Sequence, residues 1–151
     1  MVHCKQVKHQ STKAALKSTV KGKESSENLK SIWLFDRIDR AGKFAFDINR
    51  ADFRPKEFLE KMINSSNMTW SEINKQTHDD GKSKHHFLRD VRKLSKETQE
   101  RVEVLKLTED TDRIFSFALT NKIRIIGLRE REFFHVLWYD PEHEIYPSEK
   151  R

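Results

Sequence analysis

The stretch that decides the fold is residues 112–147, which read DRIFSFALTNKIRIIGLREREFFHVLWYDPEHEIYP. It contains three apolar runs in close succession, Ile114 to Leu119, Ile123 to Leu128 and Phe133 to Tyr139. Each run is rich in β-branched or aromatic residues, and short polar segments separate the runs. This pattern predicts three strands joined by tight turns, an antiparallel meander in one sheet.

The middle run indicates a strand at the centre of that sheet. Ile123 and Ile125 project to one face, whereas Ile126 and Leu128 project to the other, so both faces should be covered. Arg124 interrupts the run, and a charge within a central strand is costly unless it is paired or near the rim. Two interpretations of Arg124 stay open: a structural salt bridge and an anion-binding role.

The chain before the meander shows a strand signal followed by two helix signals. Ile32 to Phe35 and Phe44 to Phe46 flank a charged turn, which predicts an N-terminal hairpin or a strand with a loop. Asp52 is the predicted cap of a helix that runs through Asn64. Pro55 lies in the early turn of that helix, and its apolar stripe is Phe58, Leu59, Met62 and Ile63. A second helix is predicted from Thr69 to Gln76, because Thr69 and Glu72 have the spacing of a capping box and Trp70 and Ile73 would turn inward.

Residues 77–84 lack large apolar groups and predict a solvated loop. The loop leads into His85-His86-Phe87-Leu88, a predicted short strand, and Ser95 opens a third helix from Lys96 to Leu107. In that helix Val102, Leu105 and Val104 form the predicted buried side. Helices followed by adjacent strands favour an α+β fold.

Composition favours one soluble domain. The chain has 151 residues, of which 35% are hydrophobic and 36% charged. It shows no apolar run of about 18 residues and no signal peptide, so we expect a cytoplasmic protein without membrane contact. Cys4 is the only cysteine, which excludes an internal disulfide framework. We expect no cofactor, because four glycines form neither a P-loop nor a dinucleotide fingerprint.

The positive charge is concentrated near the N-terminus. The formal charge is +6, and residues 1–30 hold seven Lys against Glu24 and Glu27, which leaves +1 for the remainder. We therefore expect residues 1–30 to be a basic flexible leader and residues 31–151 to form a single α+β domain. The leader either binds nucleic acid through phosphates or serves as a solubilising segment.

Candidate catalytic residues are His85, His86, Arg124 and His143. Neighbouring strand residues point to opposite faces, so only one of His85 and His86 can face a shared site. By the same alternation, His135 should lie on the face opposite Asp140.

These residue types suit metal-independent cleavage of RNA, in which the ribose 2′-hydroxyl is the nucleophile. The reaction needs a base, an acid and a cation for the developing phosphorane charge. In this hypothesis His143 and either His85 or His86 share the proton transfers, while Arg124 holds the phosphate. Trp138 or Tyr139 would stack on a base, and Asp140 would complete the substrate-binding group.

A metal site is the alternative chemistry for the same region. Asp140, Glu142 and His143, with His85 or His86, would give a mixed oxygen and nitrogen ligand set suited to zinc or manganese. The ordinary alternative is that these are solvated turn residues, since Asp140-Pro141 is a common turn opener.

Three segments resemble a group of small, largely uncharacterised bacterial and phage proteins. They are Ser83 to His86, Arg124 to Leu128, and Phe134 to His143, which ends in the motif Leu-Trp-Tyr-Asp-Pro-x-His. The resemblance covers roughly residues 32–147. The layout is also similar to RelE/ParE-type toxins, which implies that Arg124 and Tyr146 are the basic and aromatic residues on the sheet. The chain departs from those toxins in its length, its weakly basic sheet region and its predicted hairpin.

Two functional hypotheses follow. The first is an RNA-directed protein, an endoribonuclease toxin of a toxin–antitoxin or phage-defence system, with RNA and an antitoxin or host factor as partners. The second is a non-catalytic protein-interaction module that uses the aromatic C-terminal sheet as its interface. An exposed patch at Trp138 or Phe134 would favour the second.

Overall fold

The computed structural model describes residues 25–147. Within that range the chain forms five strands and three α-helices. The strands are β1 (Ile32–Leu34), β2 (His86–Phe87), β3 (Ile114–Ala118), β4 (Arg124–Glu130) and β5 (Phe133–Asp140). The helices are α1 (Pro55–Ser66), α2 (Trp70–Asn74) and α3 (Lys96–Val104), and short 3-10 turns occur at Ser26–Asn28, Val91–Lys93 and Thr111–Arg113.

The five strands form one mixed sheet in the order β1-β5-β4-β3-β2. The pairs β3–β4 and β4–β5 are antiparallel, which confirms the predicted meander and the α+β class. β2 joins antiparallel to β3, whereas β1 runs parallel to β5. β4 therefore lies at the centre of the sheet, as the sequence predicted.

Helices cover both faces of the sheet, and each face has its own apolar core. The α2 face carries Phe115, Phe117, Ile125 and Phe134 packed against Trp70 and Ile73 of α2. The α3 face carries Ile114, Ile126, Leu128 and Trp138 packed against Val102 of α3. Ile125 and Ile126 thus lie on opposite faces, as predicted for a central strand.

A β-bulge interrupts the alternation of β5. Ile126 pairs with Trp138 but Gly127 pairs with Val136, so Leu137 is an extra residue. After the bulge the faces are exchanged, and His135 and Asp140 lie on the same α3 face, opposite Leu128 and Arg124 respectively. The prediction that they lie on opposite faces is wrong because simple alternation does not survive an inserted residue.

The N-terminal hairpin does not form, and the chain has the alternative, a strand with a loop. Within the described residues, the segment Phe44 to Phe46 forms no strand that pairs with β1. Ala45 makes only an isolated bridge to Trp138 of β5. The loop is held instead by buried Asp39, which accepts hydrogen bonds from Arg101 at 2.8 Å and from Trp138 Nε1 at 2.9 Å. Burial acts to raise the pKa of Asp39, but these donors outweigh it and hold the pKa below its usual value.

The positions of the predicted helices agree with the structure more closely than the predicted burial of their apolar residues does. α2 has the predicted capping box, and both Trp70 and Ile73 are fully buried. α1 begins after Arg54 and not at Asp52, and its apolar stripe is only partly covered, with Leu59 and Ile63 exposed. α3 ends at Val104, which is exposed, while Val102 is buried.

Part of the predicted leader contacts the domain. The carbonyl of Leu29 accepts the Trp70 N–H at 3.0 Å, and Glu27 pairs with Arg129. Residues 1–24, with Cys4, lie outside the described residues. Within residues 25–147, no helix is both long and apolar enough to span a membrane.

The bulge requires glycine at position 127. A Cβ there would lie 2.2 Å from the carbonyl oxygen of His135, so Gly127→Ala should lower the free energy of unfolding by about 3 kcal/mol. Gly81→Ala is the control, because Gly81 has φ +82° but open space around its Cα, and its cost should be about 1 kcal/mol. Urea denaturation measures both, and equal losses would contradict the steric argument.

Candidate functional site

Arg124 is a buried cation at the first residue of the central strand β4, where the ends of the strands form one margin of the sheet. Only 4% of its surface is exposed, and Nη1 donates to the carbonyl oxygens of Thr120 at 2.6 Å and Ile123 at 3.2 Å. Its Nε is buried and finds no hydrogen-bond partner within the described residues. Loss of solvation lowers the pKa of Arg124, although the guanidinium stays charged near neutral pH. An unsatisfied buried donor carries a desolvation cost, and such groups mark candidate functional positions.

Asp140 shapes the turn that follows β5. Its carboxylate is fully buried and accepts the backbone N–H groups of Glu144 at 2.9 Å and Ile145 at 2.8 Å. It acts on Arg124 through its charge. Burial raises the pKa of Asp140, while the backbone N–H groups oppose that rise. Asp140 therefore fixes the position of the turn.

The turn held by Asp140 carries His143, whose backbone adopts a left-handed conformation at φ 57°. The end of the turn is also fixed, because the Ile145 carbonyl accepts the N–H of Ser95 at the start of α3. His143 is thus presented from a loop tied at both ends to the domain.

The charge of Arg124 acts on two of the other predicted catalytic residues, His86 and His143. Partial loss of solvation lowers the pKa of His86, and the charges of Arg124, His143 and His78 lower it further. The pKa of His143 is lowered by burial first and then by Arg124 and His78. We call these four residues, Arg124, His86, His143 and His78, the histidine–arginine edge.

His78 is the member of this edge that the sequence analysis missed. It lies in the loop before β2, which folds back through a Thr77–Ser83 bridge and a 2.8 Å hydrogen bond from the His78 N–H to the Lys82 carbonyl. The Asp80-Gly81 turn was a sequence signal for this reversal, since it returns the chain towards the start of β2.

His85 does not join the edge. It lies on the α2 face, stacked on Phe117 at 4.2 Å, and is 2% exposed. Nδ1 accepts the N–H of Ala118 at 3.0 Å, so Nε2 carries the proton and donates to Gln76 Oε1 at 2.7 Å. Burial, with nearby positive charges, lowers the pKa of His85 to about 3. Both ring nitrogens therefore make hydrogen bonds within the fold.

The three aromatic residues predicted to bind substrate, Trp138, Tyr139 and Tyr146, pack within the domain. Trp138 and Tyr139 are buried, and the Tyr139 hydroxyl donates to the Asp52 carbonyl at 2.9 Å and accepts the Arg54 N–H at 3.2 Å. Tyr146 is partly buried against the α3-face core. Trp138 and Tyr139 belong to the core, and their rings are not free to stack on a base.

The alternative metal-ligand set is not assembled. Within residues 25–147 no three His, Cys, Asp or Glu side chains lie close enough to share a metal ion. Glu142 pairs with Lys122, and both Asp140 oxygens accept backbone N–H groups.

The histidine–arginine edge therefore combines a fixed cation with two imidazoles, His86 and His143, whose pKa values lie below the usual histidine value. The positive charge of Arg124 attracts an anion, and the imidazoles can accept or, once protonated, donate a proton. An anion bound beside them would favour their protonated forms, because opposite charges raise a histidine pKa.

The chain belongs to the family described as "Uncharacterised protein UU032", whose model matches residues 48–151. The match includes the four strands β2 to β5, all three α-helices and every residue of the histidine–arginine edge, but not β1. No curated protein and no solved structure matches the chain. The family description names no activity.

Removal of the Arg124 charge should raise the pKa values of both His86 and His143 towards the usual histidine value. An NMR titration of the imidazole signals in Arg124→Gln measures this. Arg113→Gln is the matched control, because it removes a guanidinium that pairs with Asp110 and Glu130. Unchanged pKa values in Arg124→Gln would contradict the proposed arrangement of the edge.

His85 should make the fold sensitive to acid. Its pKa is about 3 when folded and about 6.5 when unfolded, so the unfolded chain binds the extra proton first and stability falls as pH drops from 6.5 towards 3. His85→Gln should cost about 2 kcal/mol at pH 7 through lost hydrogen bonds. Its deficit relative to the wild type should shrink as the pH falls, as measured by urea denaturation. A deficit that is constant with pH would contradict a neutral structural His85.

Proposed function

We propose that this protein binds RNA at the histidine–arginine edge and cleaves its phosphodiester backbone without a metal ion. The observation that carries the proposal is the buried guanidinium of Arg124, whose Nε lacks a hydrogen-bond partner within the described residues and whose charge acts on His86 and His143. Phosphate oxygens are strong acceptors for a guanidinium, and the two imidazoles supply the proton transfers.

In the proposed reaction, one of the two imidazoles, His86 or His143, takes the proton of the ribose 2′-hydroxyl. The 2′-oxygen then forms a bond to phosphorus and the bond to the 5′-oxygen breaks. The other imidazole, protonated in the complex, gives its proton to that leaving oxygen. The products are a 2′,3′-cyclic phosphate and a 5′-hydroxyl end. Arg124 stabilises the additional negative charge on the phosphorane.

The lowered pKa values suit this division of roles. In the free protein, loss of solvation and then the neighbouring positive charges lower the pKa values of His86 and His143, which prepares a base. A bound phosphodiester adds negative charge and raises the pKa of both, which favours protonation of the one that serves as acid.

We further propose that the activity belongs to a toxin of a toxin–antitoxin or phage-defence pair. The support is the layout, in which helices precede an antiparallel meander, as in RelE/ParE-type toxins, and Arg124 lies on that meander. A protein antitoxin and RNA are the proposed partners.

The alternative, a non-catalytic interaction module, depended on exposed aromatic residues of the C-terminal sheet. Phe134 and Trp138 are buried, so these rings offer no surface to a partner. We therefore favour the RNA-cleaving function.

Purified protein should cleave single-stranded RNA in the presence of EDTA and leave a 2′,3′-cyclic phosphate. His86→Ala and His143→Ala should each lower the rate by about 100-fold or more, since each removes one proton transfer. His135→Ala is the matched control: it deletes an imidazole hydrogen-bonded to Asp36 and should keep the wild-type rate. Product ends are read by mass spectrometry.

An all-deoxy oligonucleotide of the same sequence should remain intact, because it lacks the nucleophile. Cleavage of that substrate, or wild-type protein that leaves RNA whole, would refute the proposed reaction.

A further inference from the structure

A concave surface lies at β2 and includes His86. It is a pocket of about 400 Å³ whose lining also includes Phe87, Phe115, Arg89, Asn74 and Glu27. Because successive residues of a strand point to opposite faces, His86 projects to the α3 face and Phe87 to the α2 face, towards this pocket. His86 lines the pocket as well, so the pocket adjoins the histidine–arginine edge at β2.

One wall of the pocket is aromatic and carries a cation. The rings of Phe87 and Phe115 meet edge to face at 5.0 Å, and the Arg89 guanidinium lies 4.8 Å from the centre of the Phe87 ring. Phe87 is half-buried and Arg89 is exposed. A planar ring can stack on the Phe87 ring or on the Arg89 guanidinium, because aromatic faces and guanidinium planes both bind nucleobases.

The other end of the pocket is polar and its groups are held in place. Glu27 accepts from Arg129 and from Asn74 Nδ2, each at 2.5 Å. Arg129 is itself buried, with its guanidinium 4.2 Å from the centre of the Trp70 ring. The carboxylate retains acceptor capacity for the amino and imino N–H groups of a base.

β2 is short and stands at the end of the strand order in the described sheet. No further strand covers its outer edge there, so an extended ligand can cross from one face to the other at this point. A nucleotide has the shape for this crossing, since its phosphate and its base lie on opposite sides of the sugar.

We propose that the pocket at Phe87 and Arg89 binds one nucleobase of single-stranded RNA while the adjoining phosphate lies at His86. This inference rests on the proposed function and extends it by naming the part of the substrate that is recognised. The volume suits one base with its ribose and lies at the lower end of the range for small-ligand sites.

The test uses the full chain and ligands that separate base from phosphate. Ribonucleosides, ribonucleoside 3′-monophosphates, ribose 5-phosphate and sulfate are titrated while the amide signals of Phe87, Arg89 and His143 are followed by NMR. The nucleotides should bind about tenfold tighter than ribose 5-phosphate, as stacking of one base allows. Nucleosides alone should shift the Phe87 and Arg89 signals.

Two matched pairs of variants locate the effect. Arg89→Met should remove most of the nucleoside response, whereas Arg92→Met, which deletes a guanidinium that is 91% exposed and paired with Asp90, should not. Phe87→Leu should weaken nucleoside binding while Phe87→Tyr retains it, which separates loss of the ring from loss of packing.

The outcomes distinguish the two proposals. Sulfate that shifts His143 while nucleotides bind no tighter than ribose 5-phosphate would overturn the base pocket and leave the phosphate site standing. Nucleosides that bind at Phe87 without any response to sulfate would support the pocket and count against the proposed function. An equal loss of nucleoside binding in Arg89→Met and Arg92→Met would overturn the pocket.

Discussion

The close approach of β4 and β5 at Gly127 is the constraint on which the rest of the structure depends. The absence of a side chain lets the His135 carbonyl lie where a Cβ would be, and Leu137 is then inserted as an extra residue. The insertion turns Trp138 and Asp140 to the α3 face, where Trp138 can reach Asp39 and Asp140 lies opposite Arg124. A regular β5 would send both side chains to the other face, and neither the Asp39 anchor nor the turn that carries His143 would form as it does.

The histidine–arginine edge is assembled from segments that are rigid for different reasons. Arg124 is fixed by the carbonyls of the β3–β4 turn, His143 by the Asp140 turn, and His86 by its pairing in β2. His85 supports the same corner from the opposite face, where it joins the Ala118 N–H to Gln76. The structure keeps an unsatisfied buried donor here, and such local costs are often retained at functional sites. The functional proposal therefore rests on the histidine–arginine edge and not on the buried rings of Trp138 and Tyr139.

Errors in the sequence-based site have a common origin. His85 and His86 are the same residue type in the same short strand. The alternation of side chains along a strand predicts only that one of them faces the site. Burial of His85 against Phe117 decides which one. Trp138 and Tyr139 were taken for ligand-binding rings because they end a strand, but the loop at Asp39 and the segment before α1 cover them. His78 was missed because a polar loop has no periodicity, and its return towards His86 depends on a bridge formed only in the folded chain.

The sequence by itself determined the three-strand meander, the central position of β4, the capping box of α2 and the α+β class. Each of these follows from periodicity or from contacts only a few residues apart, which the order of side chains encodes directly. Only the tertiary structure decided the parallel partner of β1, the bulge at Leu137 and the gathering of His78, His86, Arg124 and His143. Those depend on contacts between residues far apart in sequence, where backbone sterics and competition for buried hydrogen bonds select one arrangement from several that the local pattern permits.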